Sequence, residues 1–456
     1  MSRHKMEILM LTTSLKWLGF NKSEMTVSSE IRAGVTTFMA MAYILFVNPK
    51  ILAPAVVVPD AVDVQAQLLS ATALAAAIGS ILMGFIARMP IALAPGMGLN
   101  AYFTFTVVLG YGLSWRSALG AVFVSGILFL ILSVSGFREA VINAIPLTIK
   151  RASSAGIGMF LALIGLQAAG VVVHNPATMI GLGTIHSAGV YLSLFGLVLT
   201  GVLCLRKIPG AILIGMATVS GLAIALDLPV YEGKEFGGFS AGVFQTPVWP
   251  TDLFGALDVR SALDLKNIGI VATFLFVAFF DTAGTLLGLT EVAKLTDKEG
   301  HIPKASHAFA TDAIATVCGA ILGTSTTTAY MESAAGVEDG GKSGLVAVTT
   351  GVLFLIALFM WPLASAVPAV ATAPALVIVG SMLMESVGRI DWKDLRQSLP
   401  AFLTMIGMPL TFSIATGISL GILSYVLISA LSNKTREVHP VMYGISVVLL
   451  ARLFWP

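Results

Sequence analysis

Apolar stretches long enough to cross a bilayer recur along nearly the whole chain, and this restricts the backbone to helices almost everywhere. A hydrocarbon core of about 30 Å takes roughly 20 apolar helical residues to span. Such stretches fall at about 32–55, 66–88, 91–110, 115–136, 153–173, 189–206 and 209–226. After a polar connection they resume at about 266–290, 304–323, 324–340, 342–368, 371–388, 397–412 and 414–432. Composition agrees: 57% of the 456 residues are hydrophobic and 11% charged, against roughly 25% charged in a soluble domain. The pattern predicts an all-α polytopic membrane protein of about 14 transmembrane segments. Asp227–Asp264, rich in acids, reads as an aqueous loop, and the last apolar run, Val441–Trp455, either spans or lies along the bilayer surface.

The two sets of seven share sequence. Gly126–Ile131 reads GILFLI and Gly351–Ile356 reads GVLFLI, in the fourth stretch and the eleventh. Seven spans per copy would make the second copy inverted relative to the first. The chain then divides into an N-terminal segment 1–31, a first repeat 32–226, an extramembrane loop 227–265, a second repeat 266–432 and an apolar C-terminal segment 433–456. With the N-terminus in the cytoplasm of a cell inner (plasma) membrane, Arg88, Arg138, Lys150, Arg206, Lys294 and Arg389 fall inside, while few basic residues, such as Lys50, Arg116 and Lys234, fall outside. That is the bias expected of membrane insertion.

Two stretches cannot be ordinary spanning helices. Thr324–Lys342 opens with five hydroxyl residues in a row and places Glu332 beside the small run Ser333–Gly336. Irregular backbone at membrane depth survives only where protein buries it or a wet cavity meets it, and an acid there reads as functional. An extended segment followed by a half-helix from near Glu332 is expected. Its counterpart in the first repeat is Ile91–Thr104, where Pro95, Gly96 and Gly98 disfavour continuous helix and Asn100 is expected to begin the half-helix. Half-helix N-termini converging at mid-membrane make a site for a polar solute.

Few acids survive inside the spans. Asp281, in TFLFVAFFDTAGTLLGL, is placed near the midplane, and Asp312 reads as a structural acid paired with a neighbouring helix. Aromatic residues near these positions, Phe279, Phe280, Tyr102, Phe103 and Tyr330, are mostly packing, although Phe280 and Tyr330 could stack on a flat solute.

Several functions are disfavoured. A net charge of +2 with scattered basic residues gives no ground for nucleic acid. Gly336–Ser343 fits the phosphate-loop pattern, but that loop needs a buried strand of a soluble domain before it, and Glu338 and Asp339 would face the phosphates. The histidines lack ligand spacing, so neither metal nor cofactor is implied. A channel would need a continuous polar ring, and an enzyme a nucleophile with a base.

At these residues the sequence resembles the nucleobase:cation symporter family, in its adenine/guanine/hypoxanthine permease branch. The likeness runs through Thr36–Pro49 (TTFMAMAYILFVNP), Ala92–Phe103 (ALAPGMGLNAYF), Phe279–Thr285 (FFDTAGT), Gly323–Gly336 (GTSTTTAYMESAAG) and Thr372–Gly380 (TAPALVIVG). It implies fourteen segments in two inverted repeats, with spans one to four and eight to eleven forming a core domain and the others a gate domain. It also implies a purine site lined by Asp281, Glu332 and Asn100; Gly98, Phe280 and Tyr330 belong to the same neighbourhood. Where similar sequences often carry an acid, this chain has Ala278. The expected activity is purine uptake with a proton, or sodium, from the aqueous side of a lipid bilayer, by a chain that could form a homodimer. Asp281 is the first candidate for the proton-linked acid and Glu332 the second. The same architecture carrying uracil, xanthine or an anion is the alternative, and two acids at the site argue against an anion.

Overall fold

Low dielectric forces backbone hydrogen bonds inward, and the chain answers with helices wherever its apolar stretches allow. A computed structural model describes residues 17–454, apart from 22, 24, 59–62, 135–145, 232–235, 237, 239–241, 293–304, 433 and 436–437. Arg138, Lys234 and Lys294 lie outside the described residues. Among the described residues ten helices are long and apolar enough to cross a membrane, so the chain is an integral multi-pass membrane protein.

The first span is two helices rather than one rod. α1 (Val27–Met41) and α2 (Ile44–Leu52) are separated by a tight turn at Ala42 and Tyr43, where the Phe46 N–H reaches back only three residues, to the Tyr43 carbonyl at 3.0 Å. Thr26 opens α1 by accepting from the Ser29 N–H at 3.2 Å. α3 (Val64–Leu82) is capped by Asp63 and ends in a π turn, Met83–Ala87. Strand β1 (Leu93–Pro95) and half-helix α4 (Met97–Ala101) follow, and α4 widens into π-helix over Tyr102–Gly110. The half-helix thus opens at Met97, three residues before Asn100, because Gly96 is the last extended residue.

α5 (Trp115–Val134) and α6 (Leu147–Ala168) come next. The fifth apolar stretch is shifted from its expected bounds. α6 starts after Pro146, takes the basic pair Lys150–Arg151 into its first turns, and stops before Gly170, whose φ of +74° ends the helix. A hairpin of β2 (Val172–Asn175) and β3 (Met179–Leu182) occupies the residues beyond. α7 (Ala188–Leu205) and α8 (Ala211–Ala225) complete the first set.

In the second set, the short α9 (Val259–Ala262) precedes α10 (Ile268–Val292) and α11 (Ala305–Leu322). Strand β4 (Thr327–Ala329) and half-helix α12 (Ser333–Glu338) follow, then α13 (Gly344–Ala357), which continues as 3₁₀-helix to Ala366. The chain ends with α14 (Ala369–Leu383), α15 (Leu395–Thr411), α16 (Ile414–Leu431) and α17 (Pro440–Phe454). Asp394 caps α15 by accepting from the Arg396 N–H at 3.0 Å, and that bond holds its carboxyl below the usual range.

Packing sorts the helices into two groups: α1 to α5 with α9 to α13, and α6 to α8 with α14 to α16. Each group has a crossing where backbones nearly touch, as membrane helices with small residues allow. A Cβ on Gly380 of α14 would lie 2.4 Å from the Gly158 carbonyl oxygen of α6, and one on Gly344 would lie 2.1 Å from that of Gly84. The matching hexapeptides behave alike within the first group. Gly126 of α5 abuts Thr316 and Val317 of α11, and Gly351 of α13 abuts Ala77 and Ile81 of α3.

Between α3 and α11 the two extended segments pair antiparallel, with Leu93 opposite Ala329, Ala94 opposite Thr328 and Pro95 opposite Thr327. The Ser80 hydroxyl of α3 donates to the Leu93 carbonyl at 3.0 Å, and the Thr316 hydroxyl of α11 to the Thr327 carbonyl at 2.8 Å. Each strand is therefore held by the helix preceding it in sequence.

The phosphate-loop pattern has an internal occupant. Lys342 and Ser343 N–H groups donate to the buried Glu30 carboxyl of α1 at 3.1 and 2.9 Å, and the Ser343 hydroxyl adds a bond of 2.6 Å. A carboxyl thus sits on the amides just before α13, and it is a side chain of the chain itself. The Lys342 side chain is exposed.

Two stability predictions follow from these contacts. Gly380→Val should destabilise by about 1–3 kcal/mol through overpacking, seen as a lower denaturation midpoint in detergent. Glu30→Ala should cost about 1–3 kcal/mol by leaving buried N–H groups unsatisfied, whereas Lys342→Ala should stay within about 0.5 kcal/mol of the parent. Equal losses in the last two would mean that the lysine side chain, not the backbone, makes the contact.

Candidate functional site

Where the two strands end, two half-helices begin. Gly96 and Glu332 are the residues that open α4 and α12, and the Gly96 N–H closes the strand pairing by donating to Thr326 at 2.8 Å. Because the strands are antiparallel, α4 and α12 leave the pairing in opposite directions with their N-termini at the centre. Their first N–H groups and partial positive charge face that region.

Glu332 is half-buried, and Tyr43, in the turn between α1 and α2, donates its phenol to Glu332 Oε1 at 2.5 Å. Asp281, on α10, is half-buried too, and among the described residues nothing donates a hydrogen bond to it. Its Oδ2 lies 3.9 Å from where a Cβ on Gly96 would stand, at the mouth of α4. The two carboxyls are within electrostatic reach of each other and of Tyr330. Ala278, one turn before Asp281, is buried and apolar.

Asn100 is fully buried one turn into α4. Its Nδ2 donates to Asn48 Oδ1 of α2, and Asn48 in turn donates to Thr72 of α3 at 2.7 Å and Thr324 at 3.0 Å. Asn100 Oδ1 has no donor among the described residues. Gly98 lies against the other packing group, since a Cβ there would meet Ile157 Cγ2 of α6 at 2.5 Å.

Tyr330 is nearly enclosed. Its hydroxyl donates to the Pro95 carbonyl at 2.6 Å and its N–H to Ala92 at 3.0 Å, so its polar groups fasten β4 to β1. Phe280 falls on α10, and its side chain lies outside the described residues. Phe279 packs edge-on to Phe129 at 5.6 Å, and Tyr102 edge-on to Phe274 at 5.0 Å. Asp312 is fully buried and doubly bonded: Oδ1 accepts from the Ala329 N–H at 2.8 Å and Oδ2 from Thr282 at 2.7 Å. It supports the strand pair from α11.

Chemically, the centre collects acceptors in excess of donors: the Asp281 carboxyl, the second oxygen of Glu332 and Asn100 Oδ1. It suits a solute with several N–H donors. Sequence reasoning missed Tyr43, Asn48 and Glu30. The first two lie in the motif Thr36–Pro49, and a tyrosine and an asparagine inside an apolar span are the signal that was available. A cavity of ≈ 410 Å³ lined by Phe244, Gln245, Thr246, Ile356 and Phe359 lies elsewhere and holds none of these groups.

Comparisons with known proteins place this geometry. Residues 28–420 match the model of a group described as the permease family. The guanine/hypoxanthine permease PbuG of Bacillus subtilis is 45% identical over 434 residues, covering 94% of this chain and 97% of its own. The adenine permease AdeQ of Escherichia coli is 40% identical over 430 residues, covering 94% and 92%. Among solved structures, the transmembrane domain of the cyanobacterium bicarbonate transporter BicA superposes with a TM-score of 0.60 at 15% identity, covering 85% of this chain and 97% of that one. The murine Solute Carrier 26 family member A9 anion transporter, in its inward-facing state, gives 0.61 at 14% identity, covering 92% and 70%. Those two carry the fold alone. Identity sustained over nearly the full length of both chains makes this protein a member of the permease family, alongside the guanine/hypoxanthine and adenine permeases.

Proposed function

We propose that the chain imports purine nucleobases together with a proton, by alternating access. The observation that carries this reading is the pair of half-buried carboxyls, Asp281 and Glu332, set where two half-helices open and within electrostatic reach of each other. A purine edge offers N–H donors beside ring acceptors, which carboxylates and an amide such as Asn100 can grip. The names of the relatives support the substrate class.

In this reading the chain has fourteen segments in two inverted repeats, 32–226 and 266–432, joined by the loop 227–265 and flanked by segments 1–31 and 433–456. The ten long spans, two shorter apolar helices, the half-helix α12 and α15 make up the count. The paired clasps of Ser80 on β1 and Thr316 on β4 are what an inverted repeat would leave. The group containing α1 to α5 and α10 to α13 is the core domain, the group containing α6 to α8 and α14 to α16 the gate, and the N-terminus is cytoplasmic.

A proton is the coupling ion because two neighbouring carboxyls, without a basic partner among the described residues, cannot both stay charged cheaply in low dielectric. Taking up a proton and a base together relieves that repulsion. The likeness to anion transporters favours a second reading, transport of an anion on the same fold, and the same two acids oppose it.

Uptake of labelled hypoxanthine, guanine, adenine, uracil and bicarbonate into proteoliposomes, with a pH gradient, a sodium gradient or neither, tests the reading. Purine uptake should rise as external pH falls and collapse when the proton gradient is dissipated; sodium-driven uptake would replace the proton. Glu332→Gln should abolish uptake with the protein still inserted, losing about 1.5–3 kcal/mol of binding, roughly tenfold or more in affinity. Asp281→Asn should keep part of the binding but lose accumulation against a gradient. If Asp281→Asn still concentrates substrate on a proton gradient, coupling resides elsewhere.

A further inference from the structure

Tyr43 is a buried titratable group that the transport reading leaves without a role. It stands in the break between α1 and α2, wholly enclosed, and a phenol so placed needs a partner for its O–H. That partner is Glu332 Oε1, at 2.5 Å. Among the described residues no other side chain hydrogen-bonds Glu332. The meeting is held from a distance as well. Gly336 of α12 lies so close to α1 that a Cβ there would stand 2.5 Å from the Ala33 carbonyl oxygen and 2.0 Å from Thr37 Oγ1. Beyond it, the carboxyl of Asp339 accepts from Thr36 at 2.9 Å and from Arg32 at 3.2 Å. α1 thus lies along the whole half-helix, and the phenol reaches the carboxyl in one fixed geometry.

We propose that Tyr43 is a positioning residue that sets substrate specificity: by donating to Oε1 it weakens that oxygen as an acceptor and leaves Oε2 as the oxygen of Glu332 to which no side chain among the described residues donates. The inference rests on the purine reading above. A carboxylate with both oxygens available matches two adjacent donors, as it does with an arginine fork. Guanine carries such a pair, N1–H beside an N–H of the 2-amino group. Hypoxanthine has the same N1–H without the amino group. With Oε1 already engaged by the phenol, the extra donor of guanine meets the weaker acceptor and gains less at Glu332. Removal of the phenol O–H restores the acceptor strength of that oxygen and favours guanine.

Equilibrium binding of labelled guanine and hypoxanthine to the purified parent, Tyr43→Phe and Tyr43→His, at one pH, tests this. The guanine-to-hypoxanthine affinity ratio should rise about tenfold in Tyr43→Phe. In Tyr43→His, which keeps a ring N–H donor, it should stay within about twofold of the parent. A ratio unchanged in Tyr43→Phe, whether both affinities hold or fall together, overturns the proposal, because a purely structural tyrosine would weaken both bases in proportion. Should Tyr43→Phe fail to fold, Tyr43→Met, which also lacks the donor, takes its place in the comparison. A parent that binds neither base overturns the purine reading instead, so the two failures are distinct.

Discussion

Satisfaction of backbone polar groups where two apolar segments leave the helix is the constraint on which the rest of the structure depends. Two segments abandon the helix where no water can replace the lost hydrogen bonds, and each orphaned group there would cost several kcal/mol. The chain resolves this by pairing the two segments with each other, Leu93–Pro95 against Thr327–Ala329. Remaining groups are taken by side chains: Ser80 and Thr316 serve carbonyls, Asp312 takes the Ala329 N–H, and the Tyr330 hydroxyl donates to the Pro95 carbonyl. Only once these are satisfied can the N-termini of α4 and α12 be left open in the middle of the molecule. The hydroxyl run Thr324–Thr328 is fully buried, and two of its members join side-chain contacts: Thr324 accepts from Asn48 at 3.0 Å and Thr328 meets the Thr282 hydroxyl at 3.1 Å.

Much of this was legible in sequence, and the reasons it was legible also mark the limit. Pro95, Gly96 and Gly98 break a helix by local stereochemistry, so the interrupted span announced itself, as did Glu332 beside a run of small residues. Where the half-helix opens depends on the last paired residue, and that is set by a strand more than two hundred positions away. Tyr43 and Glu332 are 289 residues apart, and Glu30 and Ser343 are 313 apart. Partners at such separations leave no trace in periodicity. Hydropathy also mislaid the start of α6, because Lys150 and Arg151 enter the helix at its membrane end, where long cationic side chains can reach the interface. The phosphate-loop pattern is instructive in the same way: amides that cradle an acceptor were readable locally, and the identity of the acceptor, Glu30, was not.

Three acids in apolar helices or beside them look alike in sequence, and what separates them is the number of donors each receives. Asp312 accepts two bonds of 2.8 and 2.7 Å and is fully enclosed, which is how a structural carboxyl is held. Glu332 receives one phenol and its own backbone N–H, and Asp281 no donor among the described residues. Desolvation without compensating donors is hard to maintain unless something else supplies them, and a ligand or a proton is such a supply. Thr282 makes the contrast sharper. It follows Asp281 directly on α10 and donates to Asp312, so adjacent positions of one helix serve the satisfied acid and carry the unsatisfied one.

The distribution of bonds also says which parts would travel together if the two packing groups shift. Glu332 is tied to the turn between α1 and α2, Asn100 to α2, and Asp281 stands on α10, all within one group. The contacts of this region with the other group are of another kind. Gly98 faces Ile157 across bare backbone, and the rings of Phe105 and Phe412 meet edge-on at 6.5 Å. The polar links between the groups are few near the site; Thr106 donates to the Phe412 carbonyl, and at the surface Lys207 reaches Glu338 at 3.8 Å, an exposed pair of small energetic weight. Sliding at a glycine and between aromatic edges costs little packing, whereas breaking the Tyr43, Asn48 or Asp312 bonds would strand buried polar groups. A displacement of one group against the other would therefore carry the acids as a preassembled set, without dismantling the hydrogen bonds that hold them.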